Sequence, residues 1–293
     1  MTFRPALRPG APLLRRDAST LQVGTSPGVL IADQPGLYAL LRLLDGSRDV
    51  ARLQAYVRDN IPELDVAIVD LMRELRALRV VFDASRWSAP QRRGLDAEAR
   101  HADLAGEDPT RLAARPAFRL AFRHDSASRP LVDGARAVLA QSGLQDLDSA
   151  DPHLLVVASC GEPARSLFER PTLDGVDHLP VVIDEDRVRI GPLVSPGRTP
   201  CVSCHDRHRA DWDNAWTALL PQLGRHAITP PALSAVTVQA AALELAVEVL
   251  NYCDGRSVRS VGQFLVVGPG HDQRGSWPLA FHHGCACDLL TAA

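Results

Sequence analysis

The stretch GPLVSPGRTPCVSC, residues 191–204, decides how this chain is read. It ends in Cys201 and Cys204, two residues apart, and a second pair, Cys285 and Cys287, stands one residue apart near the C-terminus. Each pair can place two thiolates on one ion, and four thiolates complete the tetrahedral shell that zinc takes in structural sites. A metal held by both pairs would join the start of one helical region to the chain's end, closing the second half of the protein like a clasp. Disulfides suit a secreted protein, but no apolar signal segment opens this sequence and it is far longer than disulfide-stapled miniproteins. Buried unpaired thiols are the other alternative, and the tight spacing in both halves counts against it. His205, His208, His282 and His283 flank the pairs and could substitute as ligands; with four cysteines present they are expected to be solvated or to support the ligands from outside. A closed four-cysteine shell leaves no position for an activated water, so the metal would hold structure.

Outward from that stretch, 293 residues leave room for one large domain or two smaller ones, and 46% hydrophobic content suffices for a sizeable core. The net charge of −3 gives no general attraction to nucleic acid or an anionic membrane. No uninterrupted apolar run reaches the ~18 residues of a membrane span, so a soluble, cytoplasmic protein is expected. All 32 basic residues are Arg. Any mechanism that needs a lysine ammonium or a lysine Schiff base is thereby excluded.

The first 17 residues carry Pro5, Pro9 and Pro12 and are expected to form an irregular arm. Leu21–Val23 and Val29–Ile31, separated by Thr25-Ser26-Pro27-Gly28, predict a small hairpin. Leu37, Leu40, Leu41 and Leu44 predict one helix, Leu53, Val57 and Ile61 a second, and Ile68, Leu71, Met72, Leu75 and Leu78 a third, before the strand-like Val80-Val81-Phe82. Hairpin, three helices and a strand describe a winged-helix module over residues 1–85. Eleven Arg against ten Asp plus Glu make that module nearly neutral, a poor match for phosphates. A small sheet with an edge strand beside an amphipathic helix can instead accept an extended peptide by strand addition.

Residues 86–116 are rich in Arg, Asp, Ala and Glu without an apolar stripe, Trp87 apart, and read as a linker with some helix. Residues 117–293 read as an α/β domain, with strands at 118–122, 154–158, 181–183 and 188–194 and helices at 130–144 and 162–169, alternation that indicates a parallel layer. A helix from Val202 towards Leu220 carries Trp212 and Trp216, read as packing residues, and Pro230-Pro231 breaks the chain. A largely buried helix over 233–252 and a closing strand at 264–267 follow.

These parts in this order, above all the Pro-Gly-Arg-Thr-Pro-Cys-x-x-Cys run of 196–204 and the late Cys-Ala-Cys, resemble the ThiF-like, ubiquitin-activating-enzyme-like proteins found with clusters making thiazole- and oxazole-modified peptides. The N-terminal module is similar to their PqqD-like recognition element. The resemblance implies a structural zinc on Cys201, Cys204, Cys285 and Cys287, and a module that binds the leader of a ribosomal precursor peptide. It also implies a body that docks a YcaO-type cyclodehydratase, with a homodimer left open. Peptide contacts would fall on Leu71, Leu75, Leu78 and Val80, though each is by default a core residue.

One departure matters. An adenylating relative places a Gly-rich turn after the first strand of the α/β layer, where bare backbone approaches phosphates. Here Phe122 runs into Arg-His-Asp-Ser-Ala-Ser-Arg, residues 123–129, without a glycine, and with no lysine the family's basic ATP-handling set is incomplete. The expectation is therefore a scaffold that does not hold ATP and has no catalytic residues of its own. Cys160, at a strand end, and Cys253 are expected to be buried structural thiols. The competing readings are an adenylating enzyme acting on a peptide and a DNA-binding regulator.

Overall fold

Gly24, at φ 80°, and the Pro27-Gly28 pair reverse the chain between β3 (Thr20–Val23) and β4 (Val29–Ala32), which form the expected hairpin. Residues Leu13–Arg15 add β2 antiparallel to β3, so the order is β2-β3-β4. β1 (Pro5–Leu7) pairs antiparallel with β5 (Val81–Asp83). The arm expected to be irregular thus supplies two strands. Pro5 is tolerated because it is the first residue of an edge strand, where no ladder donor is lost. Helices α1 (Leu37–Arg42), α2 (Val50–Asn60) and α3 (Ile68–Ala77) form where the apolar spacing places them. The Asp49 carboxylate caps α2 by accepting the Arg52 N–H at 2.9 Å. Leu21, Val23, Leu40, Leu53, Val57, Met72, Leu75 and Val80 share one core.

The computed structural model describes residues 2–64, 66–88, 94–223 and 231–288, and the chain divides into two units, Met1–Ala113 and Ala114–Ala293. The division lies beyond most of the stretch expected as a linker. Its described part holds α4 (Asp96–Leu104) and short 3-10 turns that pack Ala99, Leu95 and Leu112 against Trp87, Phe82 and Ala6. Alanines supply the buried face of α4, which is why no stripe of large apolar residues announces it. The Trp87 indole donates to the Asp103 carboxylate at 2.9 Å.

In the second unit the described residues form a six-stranded sheet, β11-β10-β9-β8-β7-β6. β6 (Leu120–His124), β7 (Leu154–Cys160) and β8 (Asp177–Asp184) are parallel; β9 (Arg187–Ile190), β10 (Gln263–Val267) and β11 (Gly275–Pro278) continue antiparallel. The parallel layer is therefore half of a mixed sheet. Along β7, Leu154, Val156 and Ala158 face α5 (Arg129–Gln141) and the long α9 (Ala235–Cys253), while Leu155 and Val157 face Phe168 of α6 (Ser166–Leu173) and Val202. Both faces are covered, which explains continuous apolar runs without alternation. α9 is long and apolar enough to cross a membrane by length and composition, although Gln239, Glu244 and Glu248 interrupt its apolar run. Its Ala241, Ala242, Leu245 and Val249 pack in the sheet's core, and its buried Glu248 accepts the N–H groups of Arg259 and Ser260 at 3.2 and 2.7 Å.

The helix expected over 202–220 is two, α7 (Val202–Trp212) and α8 (Trp216–Leu223), separated at Asp213-Asn214. The break turns Trp216 into the core and leaves Trp212 83% exposed. The expected break at Pro230-Pro231 falls partly outside the described residues.

Candidate functional site

Cys201 lies at the N-cap of α7 in extended backbone, and Cys204 sits in the first turn, its N–H donating to the Cys201 carbonyl at 3.0 Å. A turn closed by the Cys285 N–H on the His282 carbonyl, 2.8 Å, brings in the second pair. The Sγ separations are 4.0 Å for Cys201–Cys204, 3.6 Å for Cys201–Cys285 and 3.4 Å for Cys204–Cys287, and all four lie within 4.8 Å of one another. Thiolates at about 2.3 Å from a tetrahedral ion stand about 3.8 Å apart, so the set fits a single ion, whereas a disulfide needs about 2.05 Å. Burial pushes the Cys201 thiol up to about 11, so a bound metal must displace that proton. The sequence spacing thus brought together four groups that do converge.

The histidines around the cluster divide. His205 and His282 are buried; His208 and His283 are exposed. His208, Asp211 and His282 lie within 4.8 Å of one another, a separation that would suit a second ion. The hydrogen bonds argue otherwise. The Gly284 N–H donates to His282 Nδ1 at 3.0 Å, so the neutral ring carries its proton on Nε2, which faces the Asp211 carboxylate at 2.8 Å. A metal at Nε2 would force a proton onto Nδ1, against the Gly284 N–H. The group acts as a brace: α7 holds residues 280–284 through Asp211–His282 and through His208 to the Ala280 carbonyl, 3.1 Å, and the His282 N–H points at Cys204 Sγ, 3.4 Å.

At the carboxyl end of β7, near Arg189 of the antiparallel β9, lies a charge cluster that sequence reading did not find. Arg165 forks onto Asp206 with two 2.7 Å bonds and reaches Glu162 at 2.9 Å, Glu162 also pairs with Arg189, and the Trp216 indole donates to Asp206 at 3.2 Å. This joins the loop after β7 to α7. Its members are 10, 16, 22 and 16% exposed at the side chain (Glu162, Asp206, Arg165, Arg189), so two guanidiniums are neutralised by two carboxylates inside the body. No motif in the sequence marks it; its members lie up to 44 positions apart.

The glycine-free turn after β6 is closed by Asp125. Its carboxylate accepts the Ser128 N–H at 2.8 Å, the Ser128 hydroxyl at 2.7 Å and, from the end of β7, the Cys160 N–H at 2.8 Å. Burial alone would raise this carboxyl; the Cys160 N–H and the Ser128 groups outweigh it and hold the group below its ordinary value. The Cys160 thiol is pushed up by burial and then by Asp125 and Asp184, the opposite of an activated nucleophile. In the first unit, Leu75 is 1% exposed and Val80 0%, so neither offers surface to a peptide. Leu71 is half-buried and Leu78 is 52% exposed. β4 pairs with β3 on one side and has no strand partner on the other among the described residues.

No family model matches the sequence, and no curated protein does. Solved structures share the fold. The heterocyclase TruD matches with TM-score 0.70 at 16% identity, covering 97% of this chain and 42% of TruD, and a heterocyclase in complex with substrate and cofactor matches with TM-score 0.67 at 16% identity, covering 97% and 39%. MccB of E. coli with AMPCPP and MccA matches with TM-score 0.58 at 11% identity, covering 97% of this chain and 99% of MccB. The chain spans about two-fifths of the length of the heterocyclases it resembles.

Proposed function

We propose that this chain is a non-catalytic scaffold that binds the leader of a ribosomal precursor peptide and delivers it to a YcaO-type cyclodehydratase in the cytoplasm. The observation that carries this reading is the likeness over 97% of the chain to heterocyclases of which it spans only 42 and 39%. In this reading the cyclodehydratase supplies the ring-forming chemistry, and this chain supplies the hold on the peptide. In this reading Met1–Ala113 contains a winged-helix, PqqD-like recognition element. The leader adds as a strand to the open side of β4, held mainly by main-chain hydrogen bonds, with Leu71 and Leu78 supplying side-chain contacts. Zinc on Cys201, Cys204, Cys285 and Cys287 braces the body that docks the partner. The gain is proximity: a tethered leader raises the effective concentration of the core peptide at the partner's active site.

Titration of a labelled leader into the full chain tests the reading. Leu78→Asp should weaken binding about tenfold or more while leaving stability within about 0.5 kcal/mol, because the position is exposed. Absence of leader binding by the unaltered chain would sink the recognition role. A second reading, adenylation of a peptide, draws on the near end-to-end match to MccB, which has also been solved with ATP. It requires ATP-dependent pyrophosphate exchange by the purified chain.

A further inference from the structure

We propose that Asp125 is a built-in anion that keeps the turn between β6 and α5 closed to phosphate-bearing ligands. In open α/β sheets, ligands sit beyond the carboxyl ends of the parallel strands, and phosphates are held by the N–H groups where a strand enters a helix. In this chain that place already contains a negative group. The Asp125 carboxylate gathers donors from two separate segments, Ser128 at the start of α5 and Cys160 at the end of β7. Ser128 is fully buried, and its bond to Asp125 leaves no hydroxyl proton for a ligand.

Two consequences follow for an incoming phosphate. The Ser128 and Cys160 donors are engaged, and the group engaging them is of like charge, which repels the phosphate at short range. The adjoining cavity of about 310 Å³, lined by Arg123, His124, Ser159 and Leu167 among others, also presents Glu162. Glu162 pairs with Arg165 and Arg189, and Asp206 takes the other side of Arg165, so the two carboxylates together neutralise the two guanidiniums. Exclusion is therefore written into the side chains as well as into the missing glycines. This deepens the reading of the body as a non-nucleotide scaffold and rests on it, but it concerns the β6–β7 end of the body alone.

The test uses the full chain with inorganic pyrophosphate as probe and chloride at equal ionic strength as control. The unaltered protein should show no saturable binding by calorimetry and no anion-specific rise in melting temperature. Asp125→Ala should melt lower in chloride and be restored in part by pyrophosphate, with binding at least about tenfold tighter than to the unaltered chain, the scale of one removed charge contact. Asp125→Asn keeps the shape without the charge, and should gain pyrophosphate binding in the same direction even if the alanine variant does not fold. Equal binding by the unaltered chain and the variants, or no anion-specific gain in any folded variant, overturns the proposal. Leader titration of the same samples reads Met1–Ala113, so failure of the leader-binding role and failure of this exclusion register separately.

Discussion

Arg115 and Asp254 lie 139 positions apart in sequence, and their side chains are each 2% exposed. Their fork of 2.9 and 2.7 Å bonds, with a 2.7 Å bond from Arg115 to the Ser142 carbonyl, ties the chain just before β6 to the ends of α5 and α9. Removing Arg115 leaves the buried Asp254 partly compensated by Arg256 at 2.7 Å, so Arg115→Ala should cost about 3 kcal/mol in denaturant unfolding, the lower end for a broken buried pair. Replacement of both members by apolar residues of similar volume should cost far less. Glu162 gives the body an acid-sensitive element. Burial alone would raise its carboxyl, but Arg189 and then Arg165 outweigh burial and hold it below its ordinary 4.5. The unfolded chain therefore takes up that proton first on acidification. The stabilisation is complete above about pH 4.5 and is lost as pH falls through the lower folded-state value. Denaturant midpoints measured from neutral pH downward should fall more steeply for the unaltered chain than for Glu162→Gln; parallel curves would remove Glu162 from the account.

The elements legible in the sequence were those specified by local pattern. Leucines at helical spacing gave α1 to α3, and Pro27-Gly28 between two apolar runs gave the β3–β4 hairpin. Elements specified by distant partners were not legible: β1 exists because β5 lies 76 positions later to receive it, and α4 buries alanines that carry no stripe. The clasp stands between these cases, since spacing inside each cysteine pair was readable while the Asp211–His282–Gly284 brace that aims the second pair was not. That brace makes a graded prediction. The sheet's main core does not include the cysteines of the clasp, so metal removal should loosen α7 and residues 280–288 and leave the sheet standing. Hydrogen exchange after chelation should show protection lost in those two segments and retained in β7 and β8, with the same pattern in a Cys201→Ser/Cys204→Ser variant. Global unfolding on chelation would show that the clasp supports the whole body.

At the scale of the whole chain, the proposed scaffold role sets the expectation for activity. In that role a body that carries a carboxylate in its first strand–helix turn should not cyclise a peptide by itself. Under the proposal, a mixture of this chain with a YcaO-type partner, ATP and a precursor should work by tethering, which alters rate through local concentration and adds no reacting group. Three behaviours follow from tethering. A precursor without its leader should be processed about 10²-fold more slowly or worse, the lower end of what an intramolecular encounter contributes. Excess free leader should inhibit by competition. A precursor whose leader and core are joined by a linker too short to span the two sites should bind and yet fail to react. Mass spectrometry for loss of water per ring reads all three. Undiminished processing of the leaderless peptide by the two-chain mixture would leave the recognition element without a role in the reaction and place the action of this chain elsewhere, in direct activation of its partner.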